Sequence, residues 1–484
     1  MTERLDTQRL AALPAAILRP AYDRAAVRPG IVHLGVGAFH RAHEAVAIDD
    51  CLAAGDSGWG IVAASLRSPD TRDALNPQDG LYTVVDRDSE GDRFRVIGAI
   101  LRVLVAPEDP AALVAAMADP NVRIVSLTVT EKGYTRRSDG TLDEDHPDIR
   151  HDLAEWGRPR SALGFLAAAL EARKAAGVPP FTALSCDNLP SNGATLKALL
   201  TRFAELRSPE LGTYVRDKVA CSSTMVDRIV PATTDSDRAL VDDALGVTDA
   251  WPVVTEPYYS WVIEDDFPAG RPDIRTPGVL FVEDVAPYEL MKLRLLNGAH
   301  STLAYAGLLL GHDNVAAAFT DPDARALVDA LWRESAATLP DAGLDSDDYC
   351  ARLAIRFGNR ALRHKLDQIG TDGSEKLPQR IAMPLRENLA AGRKASAQAS
   401  AIAFWIAALE RRGKGEFAFT DPRLDRLTTL AAQADANAAA GDILALLGLG
   451  DQLEAARALV SPVLELIRRE GARAAIRTVA AASR

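Results

Sequence analysis

The chain has 484 residues, with 67 Asp and Glu against 55 Lys and Arg and a formal net charge of −12. That length exceeds one typical domain and predicts two, each with its own core. The acidic balance lacks the basic footprint of a nucleic-acid binder, and no apolar run approaches the length of a membrane span, so neither nucleic acid nor membrane is expected as a partner.

The start, MTERLDTQRL, is charged rather than signal-like, which predicts a soluble cytoplasmic protein. Cys51, Cys186, Cys221 and Cys350 are widely spaced with no CxxC pair and read as reduced, packed thiols. Residues 1 to 28 form an arm leading into the first strand. Short β-rich runs follow at 31 to 35 (IVHLG), 60 to 66 (GIVAASL), 122 to 130 (VRIVSLTVT) and 181 to 188 (FTALSCDN). Helical segments such as PEDPAALVAAMADP and SALGFLAAALEARKAAG lie between them. This alternation predicts βαβ units and a parallel sheet.

The first strand runs into a Gly35-Val36-Gly37 turn that opens a helix beginning Ala38, Phe39, His40 and Arg41. Two glycines let backbone approach a pyrophosphate, and the helix start offers free N–H groups, so these seven residues are candidate cofactor contacts. The fingerprint is incomplete, because His40 stands where a third glycine belongs, and a tight turn without ligand is the alternative. After the second strand, Asp70 sits where an acid grips an adenosine ribose; Arg67 beside it is an alternative receiver for a 2′-phosphate. His33, His40 and His43 raise a metal reading, but no HExxH motif or cysteine cluster accompanies them, and no metal is expected.

From about residue 284 the strands largely disappear and Ala- and Leu-rich helices run almost to the end. The expected division is therefore an α/β dinucleotide-binding domain of the Rossmann kind over 1–283, arm included, and a mainly helical domain over 284–484. MKLRLLNGAHS, residues 291 to 301, sets three polar groups into an apolar helix expected over 287 to 310. At about 100° per residue Lys292, Asn297 and His300 share an arc of roughly 140°. A buried lysine has its pKa lowered towards the range of a general base. The alternative is a lysine that reaches solvent, a histidine satisfied in the core and an asparagine bonded to backbone.

IVHLGVGAFHRAHE, VSLTVTEKGY, SCDNLPSNG, TMVDRIVP, EPYYSWVIEDDFPAGRP, PYELMKLRLLNGAH and DGSEKLPQR together resemble the polyol-specific long-chain dehydrogenases, the mannitol 2-dehydrogenase and fructuronate reductase family. The family's Lys-x4-Asn-x2-His signature is present as Lys292, Asn297 and His300. The resemblance implies an active site in the cleft between the two domains and metal-independent oxidation of a secondary alcohol. It makes Lys292 the general base, Asn297 and Asn188 the donors to the developing alkoxide, and His300 a substrate contact. Asp227 matches a position near substrate and lysine, Glu131 a proton-relay gate, and Lys376 a basic substrate contact. Plainer roles stand beside these: Asp227 paired with Arg228, Glu131 as a solvated charge, Asn188 as a turn residue.

Where the mannitol branch carries Glu-Asp after the second strand, this chain reads Pro69-Asp70, so the resemblance implies NAD with some tolerance of NADP. It also implies a small polyol or hexonate substrate. D-mannitol or a related D-arabino polyol stands first and D-mannonate/D-fructuronate second, the carboxylate of the latter matched by Lys376 or Arg363. Gln368 replaces an arginine that contacts substrate in the mannitol branch. A reading of another class, an NAD-binding sensor without turnover, requires the signature to be idle. Composition is compatible with a monomer or a small oligomer.

Overall fold

The computed structural model describes residues 3–362 and 364–482, and the chain divides into two compact units, one ending at Val285 and one beginning at Ala286. Five parallel strands build the main sheet of the first unit, in the order Ile100–Val105, Gly60–Ser65, Pro29–Leu34, Ile124–Leu127, Thr182–Ser185. In chain order that is 3-2-1-4-5, the doubly wound arrangement of dinucleotide-binding sheets.

Its strands read as near-continuous apolar runs because helices cover both faces. Along Pro29–Leu34, Val32 and Leu34 enter a core shared with Leu113, Phe165, Leu196 and Phe203, while Ile31 enters the opposite core with Ala45, Ile48, Leu52 and Trp59. Each Val, Leu, Ile or Phe side chain of these cores, fully buried, contributes about 1.5–3 kcal/mol relative to exposure.

Ile100–Val105 was not among the expected strands; it lies at the sheet edge, with Arg102 exposed and Leu101 and Leu104 partly so. Two three-stranded sheets were also not anticipated. One joins the hairpin Tyr82–Asp88 and Gly91–Ile97 to Val253–Thr255; the other contains Thr224–Asp227, Ser260–Glu264 and Val279–Val282. The arm packs on this unit through buried Leu5, Leu13 and Ile17, and Leu5 N–H donates to Thr248 O at 2.9 Å.

Among the described residues of the second unit all regular elements are helical. Its centre is Ser396–Gly413, buried from Ala397 to Leu409, with Gly298–Leu309 packed into the same core. The C-terminal helical run is broken at Gly471, whose φ of +88° ends Leu453–Glu470 before Ala472–Ala482 begins. No helix among the described residues is long and apolar enough to cross a membrane.

Candidate functional site

The Gly35 turn is fixed by sterics. Gly35 has φ +98°, and a Cβ there would meet the Thr128 carbonyl oxygen at 2.2 Å, so glycine alone fits. A Cβ on Gly37 would meet nothing nearer than Gly35 O at 3.9 Å. Gly35, Val36 and Gly37 line a cavity of about 1130 Å³ together with Ser65, Leu66, Arg67 and the segment from Thr128 to Thr130. The two glycines bring backbone without a Cβ to a large cavity, which suits a dinucleotide pyrophosphate.

Ala38, Phe39, His40 and Arg41 open the helix but are not among the cavity-lining residues. His40 and Arg41 are buried; Arg41 donates to Trp251 O and lies over the Tyr82 ring. These two side chains are engaged within the fold, His40 with Glu44 and Arg41 with Trp251. The expected single helix is two, Ala38–Ala42 and Glu44–Ala53, broken at His43. Asp70 is exposed at the start of Asp70–Leu75 and accepts from Ser68 Oγ at 2.9 Å, whereas Arg67 and Thr71 line the cavity.

Beneath the turn lies a buried polar cluster. Glu44 Oε2 takes His33 Nδ1 at 3.0 Å, His40 Nδ1 at 3.1 Å and Ser126 Oγ at 2.9 Å. Burial pushes the Glu44 carboxyl up, but the bonds from His33 and His40 outweigh it and hold the carboxyl well below the usual range. Burial lowers His40 to about 4, so at neutral pH its contact with Glu44 is a hydrogen bond from a neutral ring rather than an ion pair.

These three residues are close enough to share an ion. However, the two imidazoles stack with centroids 3.4 Å apart and planes inclined by 15°. A metal bound through both Nδ1 atoms has to lie near both ring planes, which nearly parallel stacked rings do not offer. The arrangement is that of a hydrogen-bond network. It reaches the turn through His33 Nε2, 2.8 Å from Thr128 Oγ1, which donates to Gly35 O at 2.7 Å. His43 packs between Phe39 and Tyr259 with Nε2 on Ser260 O at 3.0 Å.

A second buried network joins three candidate segments of the first unit. Glu131 is exposed in the short helix Glu131–Tyr134, flanked by Thr130 at φ +65° and Thr135 at φ +47°. Such non-glycine conformations cost on the order of 1–3 kcal/mol each and persist where surroundings enforce them. Asp187, buried beside exposed Asn188, accepts from Val129 N–H, Thr130 N–H and Tyr134 O–H. Asn192 then links Asp187 O to Thr224 O, at 2.9 and 2.8 Å. Thr224 begins the strand that ends at buried Asp227, which pairs in register with Ser260. Arg228 turns to Asp86 and to the carbonyls of Ala42 and Glu256.

In the second unit the expected helix is interrupted: Ala286–Met291 and Gly298–Leu309 flank a π-helical segment, Lys292–Asn297. Lys292 is half-buried; Asn297 and His300 are buried. The assumed rotation of 100° per residue therefore does not hold, because i→i+5 bonding widens the turn and alters the facing of the residues around it; such segments occur often at functional sites.

His300 packs on Phe357 and edge-to-face with His364, and its Nε2 is buried without a hydrogen-bond partner among the described residues. Burial, then the electrostatic influence of His364 and of the cations Arg356, Arg380 and Lys292, lowers its pKa well below the usual value, so the ring is neutral. Arg380, in a second π-helical segment, Pro378–Ala382, donates to Ser301 Oγ at 3.2 Å.

Lys376 Nζ donates to Thr371 O at 2.6 Å, in the helix Gly373–Leu377. Gly373 is required there, since a Cβ would meet Tyr305 Oη at 2.5 Å and Trp405 Nε1 at 2.7 Å. Gln368 is exposed in Leu366–Gly370, and Arg363 lies outside the described residues. Sequence reasoning passed over Asp187, Glu44, Arg356, His364 and Arg380. The adjacency of Asp187 to Asn188 in SCDN was an available signal; none marked His364.

The mannitol dehydrogenase Rossmann domain matches residues 29–276, and the mannitol dehydrogenase C-terminal domain matches residues 284–467. The chain belongs to the mannitol dehydrogenase family. It is thus an oxidoreductase with a dinucleotide-binding Rossmann domain followed by a helical domain. It is 44% identical to a mannitol 2-dehydrogenase of Cereibacter sphaeroides over 384 residues, 78% of this chain and 80% of that one. It is 42% identical to the D-mannonate oxidoreductase of Escherichia coli over 401 residues, 81% and 82% of the two chains. A Pseudomonas fluorescens mannitol 2-dehydrogenase, solved as a ternary complex with NAD and D-mannitol, is 35% identical, with a TM-score of 0.84 over 98% of this chain and 99% of that one.

Proposed function

We propose that this family member is a metal-independent, NAD-dependent dehydrogenase that interconverts the secondary alcohol and ketone of an acyclic sugar alcohol, D-mannitol and D-fructose. The observation that carries this reading is the full-length similarity to the mannitol 2-dehydrogenase that binds NAD and D-mannitol. Oxidising the alcohol removes its hydroxyl proton and its carbon-bound hydride, and NAD, when bound, supplies the hydride acceptor. Gly35, Val36 and Gly37 are the backbone that would hold the cofactor's pyrophosphate.

In this reading Lys292 takes the hydroxyl proton. Asn297 and Asn188 donate hydrogen bonds to the oxygen as negative charge develops on it, without bringing charge of their own. Neutral His300 orients a substrate hydroxyl through Nε2, which has no hydrogen-bond partner among the described residues. Asp227 acts on the substrate, Glu131 passes the proton outward, and Lys376 contacts substrate.

A second reading, D-mannonate and D-fructuronate, is favoured by the cations around His300. Lys292, Arg356 and Arg380 all act on that ring, and a hexonate brings a carboxylate that such groups can meet. A panel of initial rates with NAD and D-mannitol, related polyols or D-mannonate, and with NADH and D-fructose or D-fructuronate, tests both. The proposal expects the highest kcat/KM with the mannitol pair. A higher value with the hexonate pair establishes the second reading, and NADH binding without turnover on any member replaces both by a sensor.

A further inference from the structure

Asp187 lies outside every residue that the dehydrogenase reading uses, yet it is the junction of the segments carrying Glu131 and Asn188. Its Oδ2 accepts from Val129 N–H at 3.1 Å and Tyr134 O–H at 2.8 Å, and its Oδ1 accepts from Thr130 N–H at 2.9 Å. These donors stand at the two ends of the turn Glu131–Tyr134, next to the threonines held at positive φ. Tyr134 is held on its other side at 2.5 Å by Ser185 Oγ. The backbone carbonyl of Asp187 takes Leu189 N–H and Asn192 Nδ2, both at 2.9 Å, which fixes the turn containing Asn188. One residue thus grips the Glu131 turn with its side chain and the Asn188 turn with its main chain.

We propose that Asp187 is a positioning residue, whose buried carboxylate clamps both ends of the Glu131–Tyr134 turn onto the Asn188 segment and so keeps Glu131 and Asn188 in one register. The chemistry selects a carboxylate. Its three side-chain partners are all donors, and a carboxylate offers acceptor sites on both oxygens. An asparagine of the same shape keeps one acceptor oxygen and turns an NH₂ group towards a donor, so at least one bond is lost. The assignment rests on the proposed roles of Glu131 and Asn188; the clamp itself does not.

The experiment compares wild type with Asp187→Asn, Tyr134→Phe, Glu131→Gln and the double variant Asp187→Asn/Glu131→Gln, by amide hydrogen exchange and by steady-state kinetics with NAD and D-mannitol. In Asp187→Asn, exchange over residues 128–135 is expected to speed up by about 10-fold or more while the other strands of the sheet stay protected, the signature of local opening. Its kcat is expected to fall about 10-fold, and the double variant to be little worse than Glu131→Gln alone, because coupled residues are non-additive. A purely structural role would give additive losses. Tyr134→Phe keeps both amide bonds and frees only the C-terminal end of the turn, so faster exchange is expected at 133–135 even where Asp187→Asn does not fold.

Unchanged exchange over 128–135 in both clamp variants overturns the proposal, as do additive losses in the double variant. Should wild type oxidise no substrate of the panel, the dehydrogenase reading falls and so does the functional register of Glu131 and Asn188, while the exchange data still decide whether the clamp exists.

Discussion

Lys292 and Asn297 are the first and last residues of one π-helical segment, Lys292–Asn297. The i→i+5 bonding of such a segment couples the two ends of its turn, so the proposed base and one proposed oxyanion donor share a single irregularity in an otherwise α-helical run. Replacing Asn297 or Asn188 by alanine is expected to lower kcat, more than it raises KM, by roughly 3 kcal/mol or somewhat less for one donor. Rate measurements in both directions check this. A change confined to KM makes them ordinary substrate contacts.

Stability should depend on acid through His40 and His43. Burial lowers the first to about 4 and the second to about 3, from an ordinary 6.5. The native state therefore binds these protons less readily than the unfolded chain. Their contribution to stability is fully present above pH 6.5 and is lost as pH falls from there towards 4 and 3. Thermal unfolding across that window is expected to show a falling Tm, with a shallower fall in His43→Gln. An equal slope in the variant removes His43 from the account.

Cofactor choice turns on Asp70 and Arg67. Asp70→Ala is expected to weaken use of NAD and improve relative use of NADP, since a carboxylate that repels a 2′-phosphate is gone. Arg67, which lines the cavity, should shift the ratio the other way when replaced by alanine. The kcat/KM values for both cofactors, taken at one ionic strength because the effect is screened by salt, decide it. If only the arginine substitution moves the ratio, Arg67 is the determinant and Asp70 serves its bond to Ser68.

Much of the first unit was legible because parallel strands buried on both faces announce themselves as apolar runs ending in turn residues. Four strands of the main sheet, the glycine turn and the helical texture after residue 284 could be read this way. The edge strand Ile100–Val105 was passed over although its sequence, ILRVLV, is apolar apart from Arg102. The π segment could not be read, because Lys292 to Asn297 satisfy a 3.6-residue period equally well on paper. Asp187 and Glu44 were missed for another reason: their partners Thr130, Tyr134, His33 and Ser126 come from distant segments, and only folding brings those donors to the carboxylates.

Chelation should leave activity intact, because the proposed chemistry uses a lysine and because His33 and His40 stack too nearly parallel to share an ion. Activity before and after EDTA dialysis checks this. Loss that zinc restores would transfer the chemistry to a metal centre.

The central claim is that Lys292 takes the substrate's proton, and the direct measurement is NADH formation by Lys292→Ala beside wild type under saturating NAD and D-mannitol, with NADH affinity measured separately. The account predicts turnover lower by about 10²-fold or more with cofactor affinity nearly unchanged, the scale of a lost acid–base group. Turnover close to wild type at full substrate occupancy would contradict it.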